Sequence, residues 1–152
     1  MKFSTDNLAK PTNRYHREID LVRWACRVLK TQRHVSLCRD VPLLGRCIDL
    51  VYIDRQIVTS VEFKLTDWRR ALLQARDHRL AVDYSYVCMP SRTITDRISQ
   101  ETTAAGVGLV FPSRRPGWPF ETVIEAPASC EVWSTARIGL IEYVLRYREG
   151  SK

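Results

Sequence analysis

Apolar residues recur at three- and four-residue spacing from about Arg14 to Thr31, at Ile19, Val22, Cys26 and Leu29, and predict an amphipathic helix. Glu18, four residues before Val22, borders that stripe at the helix's N-terminal end. The period then changes. Val35, Leu37 and Arg39 alternate with other types, which reads as an edge strand interrupted or ended by Pro42. Two further strands follow, roughly Cys47 to Ile53 and Ile57 to Leu65, around a turn of Asp54, Arg55 and Gln56. That turn lacks the Gly or Asn that a tight hairpin favours.

Thr66, a capping hydroxyl followed by Asp67, predicts a helix start, and the helix runs to about Asp83 with Trp68, Leu72, Ala75 and Val82 inward. Tyr84 to Met89 is a short apolar strand stopped by Pro90. A helix over TITDRISQETTAAG closes at Gly106, and Val107 to Phe111 is another short strand. SRRPGWP is a loop, FETVIEA a final short strand, and Ser134 to Tyr147 a last helix. A three-strand antiparallel meander that continues into strand–helix–strand units makes an α/β fold, a mixed central sheet with helices on both faces. There is no internal repeat and no domain boundary; residues 1–13 read as a polar, flexible arm and 14–152 as one domain, an ordinary size for 152 residues.

The net charge is +7, and 19 of the 24 basic residues are Arg. Arginine bonds phosphate through two parallel N–H groups, so a nucleic-acid partner and a merely solvated basic surface both fit the composition. The five cysteines are widely spaced and form no CxxC pair, which argues against a zinc site or a disulfide framework and for buried, reduced thiols. No apolar run spans a bilayer and the first residues lack a signal-peptide core, so a cytoplasmic protein is the simplest expectation.

The chemistry concentrates in IDLVYIDRQIVTSVEFKL, from Ile48 to Leu65, where Asp49, Glu62 and Lys64 interrupt apolar strands. Buried charges are costly unless paired or bound to a metal. If Arg55 and Gln56 are the two turn residues, Asp54 opposes Ile57, and counting back sets Asp49 opposite Glu62. Two carboxylates that close repel, and a shared proton or a divalent cation relieves the repulsion. With hard oxygen ligands and no nearby Cys or His, Mg²⁺ or Mn²⁺ is favoured over zinc. Lys64, one pleat further, could orient an attacking water or stabilise a pentavalent transition state.

Asp49 followed by Glu62-Phe63-Lys64 on the next strand resembles the signature of the PD-(D/E)xK nuclease superfamily, over roughly residues 14–90. The resemblance implies a restriction-endonuclease-like core of helix, three-strand meander, helix and strand. It implies that Asp49 and Glu62 bind Mg²⁺ (or Mn²⁺) and that Lys64 serves the nucleophilic water. Glu18 matches a supporting metal ligand on the first helix. Gln74 matches a glutamine that nucleases similar to the RecB type place on the helix after the lysine; the aromatic expected four residues later is His78, a departure, and Ile48 stands where a proline is common.

The implied function is a divalent-metal-dependent phosphodiesterase hydrolysing nucleic acid, DNA in the first place, with a homodimer as one assembly the resemblance allows. Arg69, Arg70, Arg76 and, in the loop between Phe111 and Trp118, Arg114 and Arg115 are candidate contacts to the phosphate backbone. A rival reading is a non-cleaving nucleic-acid-binding or regulatory module on the same fold that requires a partner. A plain structural α/β domain would need the three charges to be coincidental. His16, His34 and His78 show no ligand spacing, and His78 reads as a surface residue. GVG at 106–108 lacks the Lys-Ser/Thr of a phosphate loop.

Overall fold

A computed structural model describes residues 17–90 and 92–150; the predicted arm over 1–13 and His16 lie outside them. The elements are α1 (Glu18–Leu29), β1 (Val35–Leu43), β2 (Arg46–Asp54), β3 (Ile57–Phe63), α2 (Trp68–His78), β4 (Tyr84–Cys88), α3 (Asp96–Ala104), β5 (Gly108–Pro112), β6 (Phe120–Ile124) and α4 (Ser134–Tyr147). Six strands form one sheet in chain order, β1 to β6. β1, β2 and β3 are antiparallel, β3–β4 and β4–β5 are parallel, and β6 returns antiparallel. The mixed α/β sheet expected from the pattern is the observed one.

The β2–β3 turn sets the register. Arg55 and Gln56 both take positive φ, 50° and 71°, the left-handed conformation that a two-residue turn needs at both positions to match strand twist. Asp54 therefore pairs with Ile57, and the ladder runs to Leu50 opposite Val61. The turn forms without Gly or Asn.

Alternation then divides the side chains between two faces. Leu50, Tyr52, Val61 and Phe63 pack with Leu21, Ala25 and Leu29 of α1. On the opposite face, Val51 and Val58 pack beneath Leu140 and Val144 of α4, while Val87 and Leu109 meet Ala71 and Ala75 of α2 and Ile98 of α3. Ser60 and Ser85 bridge β3 and β4 under α2, and Ser85 also donates to the Ala75 carbonyl at 2.6 Å.

Several boundaries differ from the sequence reading. Pro42 does not end β1; it pairs opposite Cys47 on a strand with no neighbour on its other side, where a missing N–H costs nothing. The cap of α2 is Asp67, whose carboxylate accepts from Arg70 N, and not Thr66. The helix stops at His78 rather than near Asp83, because Asp83 is used elsewhere: its side chain accepts from Val58 N at 2.8 Å and pairs with Arg137 of α4 at 2.8 Å. Three of the five cysteines are buried; Cys47 and Cys130 are exposed. No helix among the described residues is long and apolar enough to cross a membrane.

Candidate active site

The ladder between β2 and β3 stops at Leu50–Val61. Lys64 N bonds across to Cys88 O on the β4 side, so the Phe63 amide points the other way, toward β2. There it meets no backbone carbonyl. It donates to Oδ2 of Asp49 at 2.8 Å. The aspartate side chain thus takes the place of the next ladder bond and lies against the carboxyl of Glu62. On the other side of β2, Arg39 pairs with Leu50 and Val41 with Ile48, but Asp40, opposite Asp49, takes φ 52° and drops out of the pairing. The sheet is loosened on both sides of Asp49.

Glu62 is 3% exposed, and its Oε2 is sealed from solvent with no hydrogen-bond partner. Burial first, and then the charge of Asp49, pushes its carboxyl up to about 8, so at neutral pH it holds a proton that it shares with Asp49. Burial also raises Asp49, against the opposing pull of the Phe63 amide, the bond to Glu62 and the charge of Lys64. An orphaned buried carboxyl oxygen costs about 1–3 kcal/mol, which folding for its own sake would select against.

Lys64 is half-buried, just past the end of β3, and its charge acts on both acids. Glu18, at the start of α1, reaches the same segment: its carboxylate accepts from Leu65 N at 3.4 Å and lies 4.0 Å from Lys64 Nζ. Asp49, Glu62, Lys64 and Glu18 are therefore gathered at the end of β3. They divide into an acid pair and a Glu–Lys pair. Among the described residues no three His, Cys, Asp or Glu side chains converge as a metal-holding group. A third carboxylate ligand from Glu18 is not assembled here.

Gln74 makes no hydrogen bond to the acids, and its Oε1 is sealed from solvent without a partner among the described residues. It lines a cleft of about 200 Å³ between α2 and the β1–β2 turn, together with Leu43, Leu44, Cys47 and His78. His78 is not the surface residue its sequence context suggested. It is 5% exposed, and burial pulls its imidazole down to about 4. Its position four residues after Gln74 and three after Ala75, on the inward stripe of α2, was the available signal.

Arg69, Arg70 and Arg76 are exposed on α2, and Arg114 and Arg115 are exposed in the β5–β6 loop. Arg69 lies over the Trp68 ring at 4.8 Å and bonds Glu101 at 3.3 Å; Arg76 sits 3.9 Å from Asp77. Arg69 and Arg76 are thus already engaged by surface carboxylates.

No family model matches the chain, and no curated protein matches it. Two chains of solved structures match. One is Pyrococcus furiosus SfsA, solved in complex with Ca²⁺, at 9% identity and a TM-score of 0.39. The alignment covers 70% of this chain and 60% of that one, so this chain matches less than two thirds of SfsA's length.

Proposed function

We propose that this protein is a divalent-metal-dependent nuclease that hydrolyses phosphodiester bonds in DNA, a variant of the PD-(D/E)xK design. The observation that carries the reading is the Asp49–Glu62 pair: two acids meeting in the sheet interior, one with an orphaned oxygen, beside a half-buried lysine. Two hard carboxylates in contact fit a Mg²⁺ or Mn²⁺ ion, which ordinarily takes one or two protein carboxylates and completes its shell with water and substrate phosphate. Asp49 and Glu62 would hold it. When bound, the ion would supply charge neutralisation at the phosphoryl group and acidify water.

The chain's own residues do the rest. Phe63 N fixes the Asp49 carboxylate through Oδ2, and the carboxyl also bonds Glu62, so it becomes available to a ligand when the shared proton leaves. Glu62 must release its proton before it can serve as a ligand. Lys64 offers three N–H donors beside the acids, where it can orient the attacking water or hold a non-bridging phosphate oxygen. Glu18 steadies Lys64 and the Leu65 amide, a supporting role rather than ligation. Arg70 and Arg115 are the exposed candidates for backbone contact, with Arg69, Arg76 and Arg114 nearby in the same segments.

The test is cleavage of labelled single-stranded, duplex, flapped and four-way DNAs, and RNA, with Mg²⁺ or Mn²⁺, by wild type and Glu62→Ala. Cleavage lost in the variant establishes the reading. One observation favours the alternative, a partner-dependent binding module: no third metal-ligating side chain joins the acids among the described residues. Tight DNA binding by wild type without cleavage of any substrate form would select it.

A further inference from the structure

The β1–β2 hairpin turns on two residues, Leu44 and Gly45, since Leu43 pairs with Arg46. Both take positive φ, 51° and 80°, as a two-residue turn between twisted strands requires. Asn followed by Gly suits such a turn best. Leucine in the left-handed region costs about 1–2 kcal/mol, and here it also leaves a large apolar side chain 61% exposed. A single exposed leucine needs no explanation. One held in a conformation that a small polar residue would relieve does, because such strain collects where a side chain serves something other than stability. The Arg55–Gln56 turn has the same backbone, but its side chains are polar and it lies at the end of β2 and β3 remote from the acids.

The hairpin's place in the sheet says what its tip meets. Asp49 and Glu62 lie toward the opposite end from Arg55 and Gln56, and Leu44 lies beyond them at that same end. Four residues separate Leu44 from Asp40, the residue opposite Asp49, so the tip projects about 13 Å past the acids along the strand direction. The root of the hairpin is fixed: Val41 and Ile48 are fully buried in the cluster that contains Leu140 and Val144 of α4. The tip is open. Pro42, Leu44, Gly45, Arg46 and Cys47 are all exposed, and Leu44 borders the cleft against α2 with most of its surface in solvent. Arg46 is the one charged residue from Val41 to Ile48, and it has no ion-pair partner among the described residues.

We infer that this tip is a wedge for a break in base stacking: Leu44 lies against the face of the last paired base, and Arg46 holds the phosphate beside it. The inference rests on the nuclease reading above and gives it a substrate class, duplex DNA interrupted at a branch or flap. Leucine has no donor or acceptor, so it reads no sequence. What it recognises is an accessible base face, which a continuous duplex hides. Inserting a side chain into an intact step costs a few kcal/mol of unstacking, and at an interruption the step is already open. Arg46 supplies a positive charge that positions the backbone without selecting bases.

The experiment is fluorescence anisotropy of the full chain in metal-free buffer with a flapped duplex, an intact duplex of the same sequence and the single-stranded arm alone. A second flapped duplex carries 2-aminopurine in the base pair at the branch, where the base brightens when it loses its stacking neighbour. Wild type should bind the flapped duplex about tenfold more tightly than the intact one and brighten the 2-aminopurine. Leu44→Asn should have a Tm no lower than wild type, because Asn-Gly suits the turn, while the ratio falls near one and the brightening is lost. Leu44→Met keeps an apolar tip and should keep both signals. Equal binding of the two duplexes by wild type, or a preference that survives Leu44→Asn, would overturn the wedge and leave the nuclease reading, which metal-dependent cleavage tests, standing. So would an arm that binds as tightly as the flapped duplex, because the ligand would then be a single strand. A lowered Tm in Leu44→Asn would remove the strain on which the inference stands. No binding of any DNA would overturn both readings.

Discussion

The Phe63 amide donates to Asp49 Oδ2 at 2.8 Å, where a regular ladder would have a backbone carbonyl as acceptor. This one bond ends the β2–β3 pairing and presses the Asp49 carboxyl against that of Glu62. It sets Lys64, just past the end of β3, at the point where the sheet opens.

Lys64→Ala should reduce cleavage at least about a hundredfold, the scale seen when one aimed donor is lost from an active site. Mg²⁺ and DNA binding should be largely retained. Single-turnover cleavage and filter binding on the same preparations check this, and cleavage kept in the variant would remove Lys64 from its assigned role.

The raised carboxyl of Glu62 makes stability depend on pH with a definite sign. A carboxyl whose folded value lies above its ordinary 4.5 binds more protons folded than unfolded, so stability falls as pH rises toward about 8. His78, lowered from 6.5 to about 4, has the opposite sign and loses stability as pH falls through that window. The two oppose each other between about 4.5 and 6.5, so the metal-free protein should show little change there. Above 6.5 the raised carboxyls of the acid pair act without His78, and stability should fall toward about 8. Urea unfolding across this range checks it. Glu62→Gln should abolish the upper slope.

Metal binding should release the Glu62 proton. Mg²⁺ titrated calorimetrically into the protein at pH 7, in two buffers of different ionisation enthalpy, should give apparent enthalpies that differ with the buffer. Identical enthalpies would mean that the ion does not bind at this carboxyl.

Asp83→Ala should destabilise the fold by about 3 kcal/mol, because Val58 N and Arg137 both lose a charged acceptor. For a chain of this size that is about 10 °C in Tm, read by scanning calorimetry. Secondary structure should be unchanged below the transition.

Arg70→Ala and Arg115→Ala should each lower DNA affinity without altering base preference, and each should reduce the salt slope of log Kd by about 1. Binding titrations at several NaCl concentrations check this. An unchanged slope would return that arginine to the solvated surface.

Much of this was legible in the chain. Alternation from Cys47 to Ile53 and from Ile57 to Leu65 specified two strands, the second of which ends at Phe63, and the register followed once Arg55 and Gln56 formed a two-residue turn. In that register Asp49 faces Glu62, because local pattern and a short turn act over few residues. The last helix, Ser134 to Tyr147, was equally plain.

What only the tertiary structure decided depends on partners distant in sequence. Asp83 leaves the second helix because Val58 and Arg137, 25 and 54 residues away, compete for its carboxylate. His78 lies on the inward stripe of α2, but how deeply it is buried depends on the β1–β2 turn that lies beside that helix. Glu18 goes to Lys64 and Leu65 rather than to the acid pair because α1 lies on the opposite face of the sheet. The sequence by itself determined which residues carry charge into the strands and which of them oppose one another. The packing of helices on the two faces decided how deeply each is buried, and hence which carboxyl keeps its proton.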